Sequence, residues 1–440
     1  MGKKLNLELS TLTPLWTGGV EGKCEKIQET GIIGSLRWWY EVVVRGLGGW
    51  ACDPTEKTCN FNAEKFKKNK NLAEAGLCDV CRVFGATGWK RAFKLNFNFD
   101  KESNDLFFNK ELKIRIENNK GWFYKGGLFF KKGMLTIEPN HFVSNQEQIL
   151  QKLNLIIKLI NDWGGLGAKT QQGYGVVNSD SKFDQQTVLS ALDSIINTKH
   201  SNNNNYPKKA NLPRIDEFFF SKIRFKIDKV EKIFAQNNIR YSGNLEDYLN
   251  KNFIPIAPVV RYYLRGLLRE KLLFNNQPNA TARWRLLGVI NGSYHDLDYG
   301  KIIYYCSNCN KRWDHNPKKR EHQNCNGKPY ELCTSCKGSG EKLKNKKIKM
   351  ERYKSLINVS HAYKVGENEY EMRIWGWIPK ELPGKIRRDT VLDNLKNWME
   401  RDNGELWKKI GFLNISSIEW REKESNEDGK KFLERLLEIG

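Results

Sequence analysis

A polar stretch divides this chain into two halves that begin alike. From Asn197 to Pro213 it carries four consecutive asparagines and two prolines, the composition of a linker or loop. On either side stands an alternating strand pattern: Leu5, Leu7 and Leu9 in the first half, Ile223, Phe225 and Ile227 in the second. A turn region and an Arg-aromatic helix follow each strand, from Gly34 to Gly46 and from Pro258 to Arg269. Each half then closes with a helix and a strand. In the first half the helix spans Glu147 to Trp163, with Ile149, Leu150, Leu153, Ile156, Ile157 and Ile160 at helical spacing, and a β-branched run begins at Val176. In the second half a helical run from Val391 to about Ile410 precedes a strand from Ile415 to Trp420. The order strand, helix, central strands, helix, strand, met twice, predicts an α+β protein of two tandem ferredoxin-like (RRM-like, βαββαβ) domains. The expected division is 1–195, a linker at 196–214, and 215–440. A chain of 440 residues is also too long for one ordinary core. A sheet covered on one face by two helices leaves its other face free, and such folds commonly hold RNA there.

The charge narrows the partners. Lys plus Arg number 74 against 51 Asp plus Glu, a formal +23, which points to nucleic acid or an anionic membrane surface. Membrane is the weaker choice, because no apolar stretch approaches the roughly 18–20 residues of a spanning helix. Met1-Gly2-Lys3-Lys4-Leu5-Asn6 has charge without a following apolar core, and Asn6 stands where a myristoylation signal wants Ser or Thr. A cytoplasmic protein is therefore expected. There the ten cysteines stay reduced and favour metal over disulfides.

Between the closing helix and strand of the first half lies a loop rich in glycine: Gly164, Gly165, Gly167, Gly173 and Gly175 surround Lys169, Gln171 and Gln172. Ordinary connections of this kind run about 2–6 residues with one capping glycine. A longer loop of this composition can present successive N–H groups to an anion, with a lysine charge and two neutral donors beside them.

Aromatic residues interleave with cations at Arg37-Trp38-Trp39-Tyr40, Trp89-Lys90-Arg91, Trp122-Phe123-Tyr124-Lys125, Arg261-Tyr262-Tyr263 and Arg283-Trp284-Arg285. Rings there can hold bases and cations phosphates, or the rings can simply be core. In the first Arg-aromatic helix Leu36, Trp39, Tyr40 and Val43 form a stripe for burial. Arg37, Glu41 and Arg45 share another face, either as an intrahelical ion-pair ladder or as part of an anion site. With the helix starting near Gly34 and Ser35, Arg37 falls in its first turn, where a bound phosphate would relieve its conflict with the helix dipole. Arg261, followed one turn later by Arg265, takes the matching place in the second half.

The cysteines form two clusters: Cys52, Cys59, Cys78 and Cys81, spaced C-x6-C-x18-C-x2-C, and Cys306, Cys309, Cys333 and Cys336, spaced C-x2-C-x23-C-x2-C. Each suits a closed tetrahedral site for a structural zinc, so one or two zinc ions are expected in rigid insertions, the second at about 300–345. Cys24 competes for a place in the first cluster, and Cys325, His315 and His322 compete in the second.

These residues carry a resemblance. Thr13 to Gly19, Thr30 to Tyr40, Cys78 to Trp89 and the loop Gly164 to Gly175 together resemble the RAMP superfamily of CRISPR proteins, and within it the tandem-RAMP subunit of type III-B, or Cmr, effector complexes. The second half is similar through the Arg261 helix, Ser360 to Lys364 and Arg373 to Pro379, without a second glycine-rich loop near its end. The resemblance implies a non-catalytic subunit that binds guide RNA and its paired target RNA near the 3′ end of the guide, beside other Cmr effector subunits. Carried over residue by residue, Gly34, Ser35 and Arg37 match the helix motif, and Gly165, Gly167, Lys169, Gln171 and Gly173 match the loop. Lys90 and Arg91 follow Phe84-Gly85 as phosphate contacts, and Gln172, Arg45, Arg261 and Arg265 complete the candidate RNA-binding set.

Two other classes compete. A RAMP endoribonuclease processing guide RNA needs acid–base groups. Of six histidines, His315 and His322 fall in or beside the second cluster and His200 in the linker, which leaves His141, His295 and His361. A zinc-ribbon RNA-binding protein of another pathway would explain the second cysteine cluster and the charge, but neither the helix motif nor the loop.

Overall fold

The computed structural model describes residues 3–19, 24–56, 58–99, 111–116, 121–179, 184–196, 212–230, 233–234, 239–274, 277–278, 286–288, 304–305, 312–313, 355–382, 386–411 and 414–438. Cys306, Cys309, Cys325, Cys333 and Cys336 lie outside them, as do His200, His295, His315 and His322.

The first half builds β1 (Leu5–Thr11), α1 (Glu29–Gly46), α2 (Ala63–Asn69), α3 (Asp79–Phe84), β2 (Phe93–Phe99), β3 (Leu112–Ile116), β4 (Trp122–Tyr124), β5 (Gly133–Pro139), α4 (Gln146–Asp162), β6 (Val177–Ser179) and α5 (Gln185–Ile196). Its main sheet runs β2-β5-β1-β6, antiparallel throughout, with Leu7 opposite Leu135 and Leu9 opposite Ser179. With α1 joining β1 to β2 and α4 joining β5 to β6, this is the ferredoxin-like βαββαβ arrangement. Alternation sets the faces: Leu7, Leu9, Leu95, Phe97, Leu135 and Ile137 are buried, while Asn6, Lys94, Asn96 and Asn98 look outward.

The second half repeats the plan with β7 (Phe218–Lys226), β8 (Ile239–Gly243), α6 (Leu245–Leu249), β9 (Phe253–Ile254), α7 (Ala257–Glu270) and a hairpin of β10 (Leu273–Phe274) and β11 (Gln277–Pro278). Residues 288–354 form a compact unit of their own, in which the hairpin of β12 (Tyr304–Tyr305) and β13 (Arg312–Trp313) is described. The chain returns through β14 (Ile357–Val359), β15 (Ala362–Gly366), β16 (Glu369–Trp377), the hairpin β17 (Glu381–Leu382) and β18 (Ile386–Arg387), α8 (Arg388–Trp398), α9 (Glu405–Ile410), β19 (Asn414–Glu422) and α10 (Gly429–Leu436). Its sheet runs β19-β7-β16-β15-β9, with β14 also on β16. Its strands β19-β7-β16-β15 follow the order β6-β1-β5-β2 of the first sheet, and β9 and β14 are additions.

Residues 1–287 and 355–440 make one compact unit, and aromatic packing shows how the halves join within it. Phe220 on β7 lies 6.3 Å from the ring of Trp39 and 6.1 Å from that of Trp163, and Lys222 stands 4.1 Å over Trp163. Arg373 on β16 donates to the carbonyls of Ile160 and Gly164, both at 3.3 Å, placing a cation at the C-terminal end of α4 where the dipole favours one. The β7 face bearing Phe218 and Phe220 is therefore covered by first-half residues. Among the described residues, the first sheet keeps an outer face exposed at Asn6, Lys94, Asn96 and Asn98.

Two boundaries differ from the sequence reading: the run expected from Val391 to about Ile410 is two helices, α8 and α9, parted at residues 399–404 around Gly404, and the start of α1 moves. α1 begins at Glu29, behind an extended Gln28 (φ −99°, ψ 108°), not near Gly34. Glu29 holds the first turn, where a carboxylate suits the dipole. Gly31 and Gly34 read as breakers in sequence, yet the stripe of Ile32, Leu36, Trp39, Tyr40 and Val43, each at most 1% exposed, carries the helix through them.

Candidate functional site

The loop from Gly164 to Gly175 joins α4 to β6 and is gripped from several sides. The Ala168 amide donates to the Trp16 carbonyl at 2.8 Å, the Gly167 amide to Ser35 Oγ at 3.1 Å, and the Gly175 amide to the Pro14 carbonyl at 2.9 Å. Within the loop the Leu166 amide donates to the Gly175 carbonyl at 2.8 Å, while Trp39 Nε1 reaches the Gly165 carbonyl at 3.0 Å. The second half closes the other side: Thr170 Oγ1 meets Asn358 Oδ1 at 2.9 Å, and the His361 amide donates to the Gly173 carbonyl at 3.0 Å.

These engaged amides correct the expectation that the glycines line up free N–H donors. The glycines answer to space instead. A Cβ on Gly175 would stand 2.2 Å from the Leu166 carbonyl oxygen, and on Gly173 2.5 Å from the His361 ring, with φ at +90° and +106°. On Gly164 it would stand 2.6 Å from the Trp39 ring.

What the loop turns outward is side chains. Lys169 is left-handed at φ 60°, a single 3-10 turn over Thr170–Gln172 follows, and Lys169, Gln171 and Gln172 are half-exposed. Lys169 Nζ lies 3.0 Å from the centroid of the Trp16 ring, a cation–π pairing. Burial, aided by nearby Lys125 and opposed by Cys24, pushes the Lys169 ammonium down to about 8, so it keeps its charge at neutral pH.

The other candidate cations divide. Lys90 is exposed, and Arg91 is half-buried with Nε donating to the Phe93 carbonyl at 2.8 Å. Arg37 sits in mid-helix, ion-paired with Glu41 at 3.0 Å, and Arg45 bonds Glu41 at 3.4 Å and the Cys52 carbonyl at 3.0 Å. The intrahelical ladder is thus the arrangement present, and Arg45, buried, is turned away from solvent. Arg261 is buried too. Its guanidinium donates to the carbonyls of Ile357 at 2.9 Å and Leu287 at 2.8 Å, and Arg265 reaches the same Leu287 carbonyl at 3.2 Å. Arg261 and Arg265 therefore fasten the two ends of the chain that flank residues 288–354. The phosphate contacts read from sequence at Arg45 and Arg261 give way to these internal bonds, because a buried guanidinium must satisfy its donors inside the protein.

Cys52, Cys59, Cys78 and Cys81 converge, with their sulfur atoms all within 4.8 Å of one another. Tetrahedral zinc with bonds of about 2.3 Å requires sulfurs about 3.8 Å apart, and Cys52 Sγ lies 3.6 Å from Cys81 Sγ. Amides also turn toward sulfur: Cys81 N–H donates to Cys78 Sγ at 3.3 Å and Cys78 N–H to Cys59 Sγ at 3.4 Å. The four thiols hold one another through hydrogen bonds, which push Cys52 down and push Cys59, Cys78 and Cys81 up, so that without a metal they favour a single thiolate among them. Four sulfurs, no position left open and amide support fit a structural zinc site. Cys24 stands apart, accepting from the Thr17 amide at 3.3 Å. Arg37 links this site to α1, donating to Cys81 Sγ at 3.4 Å and to the Gly85 carbonyl at 3.3 Å.

Of the histidines described, His141 is exposed and His361 has no exposed surface. The His361 ring is enclosed by Tyr124, Tyr174 and Phe253 at 5.1, 5.9 and 5.9 Å, and neither nitrogen has a hydrogen-bond partner. Burial pushes it down to about 3, so it is neutral at pH 7.

Sequence reasoning quoted Trp16 and Lys125 inside longer motifs without assigning them. The signal for Lys125 was strand alternation: Phe123 and Lys125 are exposed on either side of buried Tyr124. Nothing local marks Asn358 or Trp375 as neighbours of the loop, since both come from the other half of the chain.

Two ferredoxin-like sheets sharing one glycine-rich loop, with a cluster of four cysteines that could hold a metal, define a tandem α+β protein. Residues 8–178 match the family model of the RAMP superfamily. No curated protein matches the chain. Among solved structures it is similar to a chain of the type III-B Cmr-beta complex bound to cognate target RNA and AMPPnP, at 13% identity and TM-score 0.40, over 100% of this chain and 99% of that one. It is also similar to Cmr1 from Pyrococcus furiosus in its apo form, at 10% identity and TM-score 0.35, over 95% and 98%. No helix among the described residues is long and apolar enough to cross a membrane.

Proposed function

We propose that this chain is a non-catalytic RNA-binding subunit of a type III-B CRISPR ribonucleoprotein effector. In this reading two RAMP domains, 1–195 and 215–440, hold guide RNA and its duplex with target RNA near the guide 3′ end, in contact with other Cmr effector subunits. The observation that carries it is convergence. The four stretches of the family resemblance are spread from Thr13 to Gly175, yet all meet at α1: Trp16 and Ser35 hold the loop at Ala168 and Gly167, and Arg37 holds Cys81 and Gly85. The match of residues 8–178 to the RAMP superfamily spans the same stretches. Around that meeting point the outward groups are Gly34, Ser35, Lys169, Gln171 and Gln172, with Lys90 exposed after the cysteine element. In this reading they supply the cationic and hydrogen-bonding groups for a phosphate backbone, whose sequence is read by base pairing and not by the protein.

Burial weighs against the nuclease reading at His361, whose imidazole is sealed from any 2′-hydroxyl. The test incubates the chain with labelled guide RNA, single-stranded target and their duplex across a salt series, scoring binding and cleavage together. Salt-sensitive binding without products is expected. Site-specific cleavage of a guide precursor would replace this reading with the endoribonuclease.

A further inference from the structure

The hairpin of β3 and β4, set between β2 and β5 in sequence, stays out of the main sheet. It pairs with β8 from the second half in a three-stranded sheet ordered β4-β3-β8. The register sets Lys113 opposite both Phe123 and Ser242, and Arg115 opposite Arg240. Residues directly opposite share a face, and Lys113 and Arg115 alternate with buried Leu112, Ile114 and Ile116. Phe123, Lys113, Arg115 and Arg240 therefore look outward together.

This face is unlike ordinary protein surface. Phe123 is 59% exposed, the most exposed large apolar side chain among the described residues, with Lys113 Nζ 4.5 Å from its ring. Arg115 and Arg240 stand directly across from one another, a like-charge pairing that costs stability in a sheet. The three strands, Leu-Lys-Ile-Arg-Ile, Trp-Phe-Tyr and Ile-Arg-Tyr-Ser-Gly, contain no acid to balance them. The outward face of the main sheet behaves differently: Glu8 and Glu138 are paired with Lys132 and Lys4, Asn96 and Asn98 lie between, and no ring projects. A surface that joins an exposed ring to three cations, with Glu111 beside the start of β3 as a neighbouring acid, complements a chain that is both polyanionic and built of flat bases. The cations also continue toward the loop, because exposed Lys125 follows Phe123 at the same strand parity and lies within electrostatic reach of Lys169.

We propose that the β4-β3-β8 face binds a single-stranded segment of RNA that continues from the strand held at the Lys169 loop, Phe123 stacking on one base while Lys113, Arg115 and Arg240 meet phosphates. This deepens the RNA-binding reading and rests on it. A base settling on Phe123 displaces the Lys113 ammonium from the ring toward the phosphates, and the anionic backbone relieves the Arg115–Arg240 repulsion.

The experiment measures anisotropy of labelled single-stranded and duplex RNA of equal length with the full chain, Phe123→Leu, and Arg115→Gln combined with Arg240→Gln, over a salt series. Phe123→Leu is expected to weaken single-strand binding about 5- to 150-fold, as removal of one stacking ring does, and to leave duplex binding unchanged. The double variant lowers the single-strand salt slope by about 1.4, about 0.7 for each phosphate that is no longer neutralised. All three positions are at the surface, and circular dichroism checks that the variants fold as the parent does. If the parent binds RNA and the variants match it in affinity and slope, the face is not an RNA site while the loop reading stands. Equal loss of single-strand and duplex binding also overturns the proposal. Unchanged RNA binding with lost association to another effector subunit would make the face a protein dock. A parent chain that binds neither RNA removes the function and the inference together.

Discussion

Gly34→Ala separates what α1 needs for folding from what the site needs for binding. Gly34 is exposed inside the helix, and a Cβ built on it meets nothing within 4 Å. Its neighbour Gly31 is different, since a Cβ there would stand 3.3 Å from Thr17 Cβ. An interior helical glycine costs about 0.5–1 kcal/mol relative to alanine, so the substitution should stabilise the fold by that amount. With an unfolding entropy of about 2.1 cal/mol/K per residue, a 440-residue chain has about 0.9 kcal/mol/K, and the melting temperature rises by only about 1 °C. Urea denaturation, read as a shift in midpoint at constant slope, is therefore the better measure of stability. If RNA passes over Gly34, the added methyl holds the backbone away from Ser35 and Lys169, and affinity falls while stability rises. The same preparation should be measured for both. Greater stability with unchanged RNA affinity would refute RNA at Gly34, and lower stability would refute the open space above it.

Gly173→Ala should act in the opposite sense. Its Cβ would clash with His361 at 2.5 Å from a backbone at φ +106°, and a loss of about 1–3 kcal/mol is expected in urea unfolding. His361 makes stability pH-dependent: its folded value of about 3 lies below the ordinary 6.5, so the unfolded chain binds the extra proton and stability falls as pH drops below 6.5. From pH 6.5 to 5 the parent should lose about 1.6 kcal/mol more than His361→Phe, the slope rising from half of about 1.4 kcal/mol per unit at pH 6.5 to nearly all of it at pH 5, and parallel pH profiles would contradict a buried neutral imidazole. Cys78→Ser should lower bound zinc by about one equivalent and open the segment between Cys52 and Cys81 to protease. Unaltered metal content would remove that site.

Local periodicity made the βαββαβ order legible twice, because a two-residue alternation at Leu5, Leu7 and Leu9 or a stripe at Leu36, Trp39, Tyr40 and Val43 is fixed by backbone geometry alone. The cysteine cluster was legible as spacing. The jobs of the arginines were not. Arg37 looked like a first-turn cation because Gly34 resembled a helix start, whereas the helix begins at Glu29. Arg261 shares its sequence setting with a phosphate contact, and only the tertiary fold shows the carbonyls of Leu287 and Ile357, brought together across residues 288–354, that take its donors. The glycine loop was found for one reason and is built for another: its composition signalled N–H groups for an anion, while the contacts at Leu166, Trp39 and His361 show glycines chosen to let other groups come close.

Those contacts also explain how one loop can serve two domains. The second half has no glycine-rich loop of its own, but it sends Asn358, His361 and Trp375 to the loop of the first. Thr170 is tied to Asn358, the Gly173 carbonyl to the His361 amide, and Gly165 leaves room for the Trp375 ring, which a Cβ would approach to 3.1 Å. Lys169, between these anchors, is held in a left-handed conformation over Trp16 and loses little freedom when an anion arrives. The second half in this way presets the geometry of a cation it does not itself carry. Its buried β7 face, against Trp39 and Trp163, fixes the two halves in that relation. The two sheets thus play unequal parts: the first offers the loop, and the second fixes its shape.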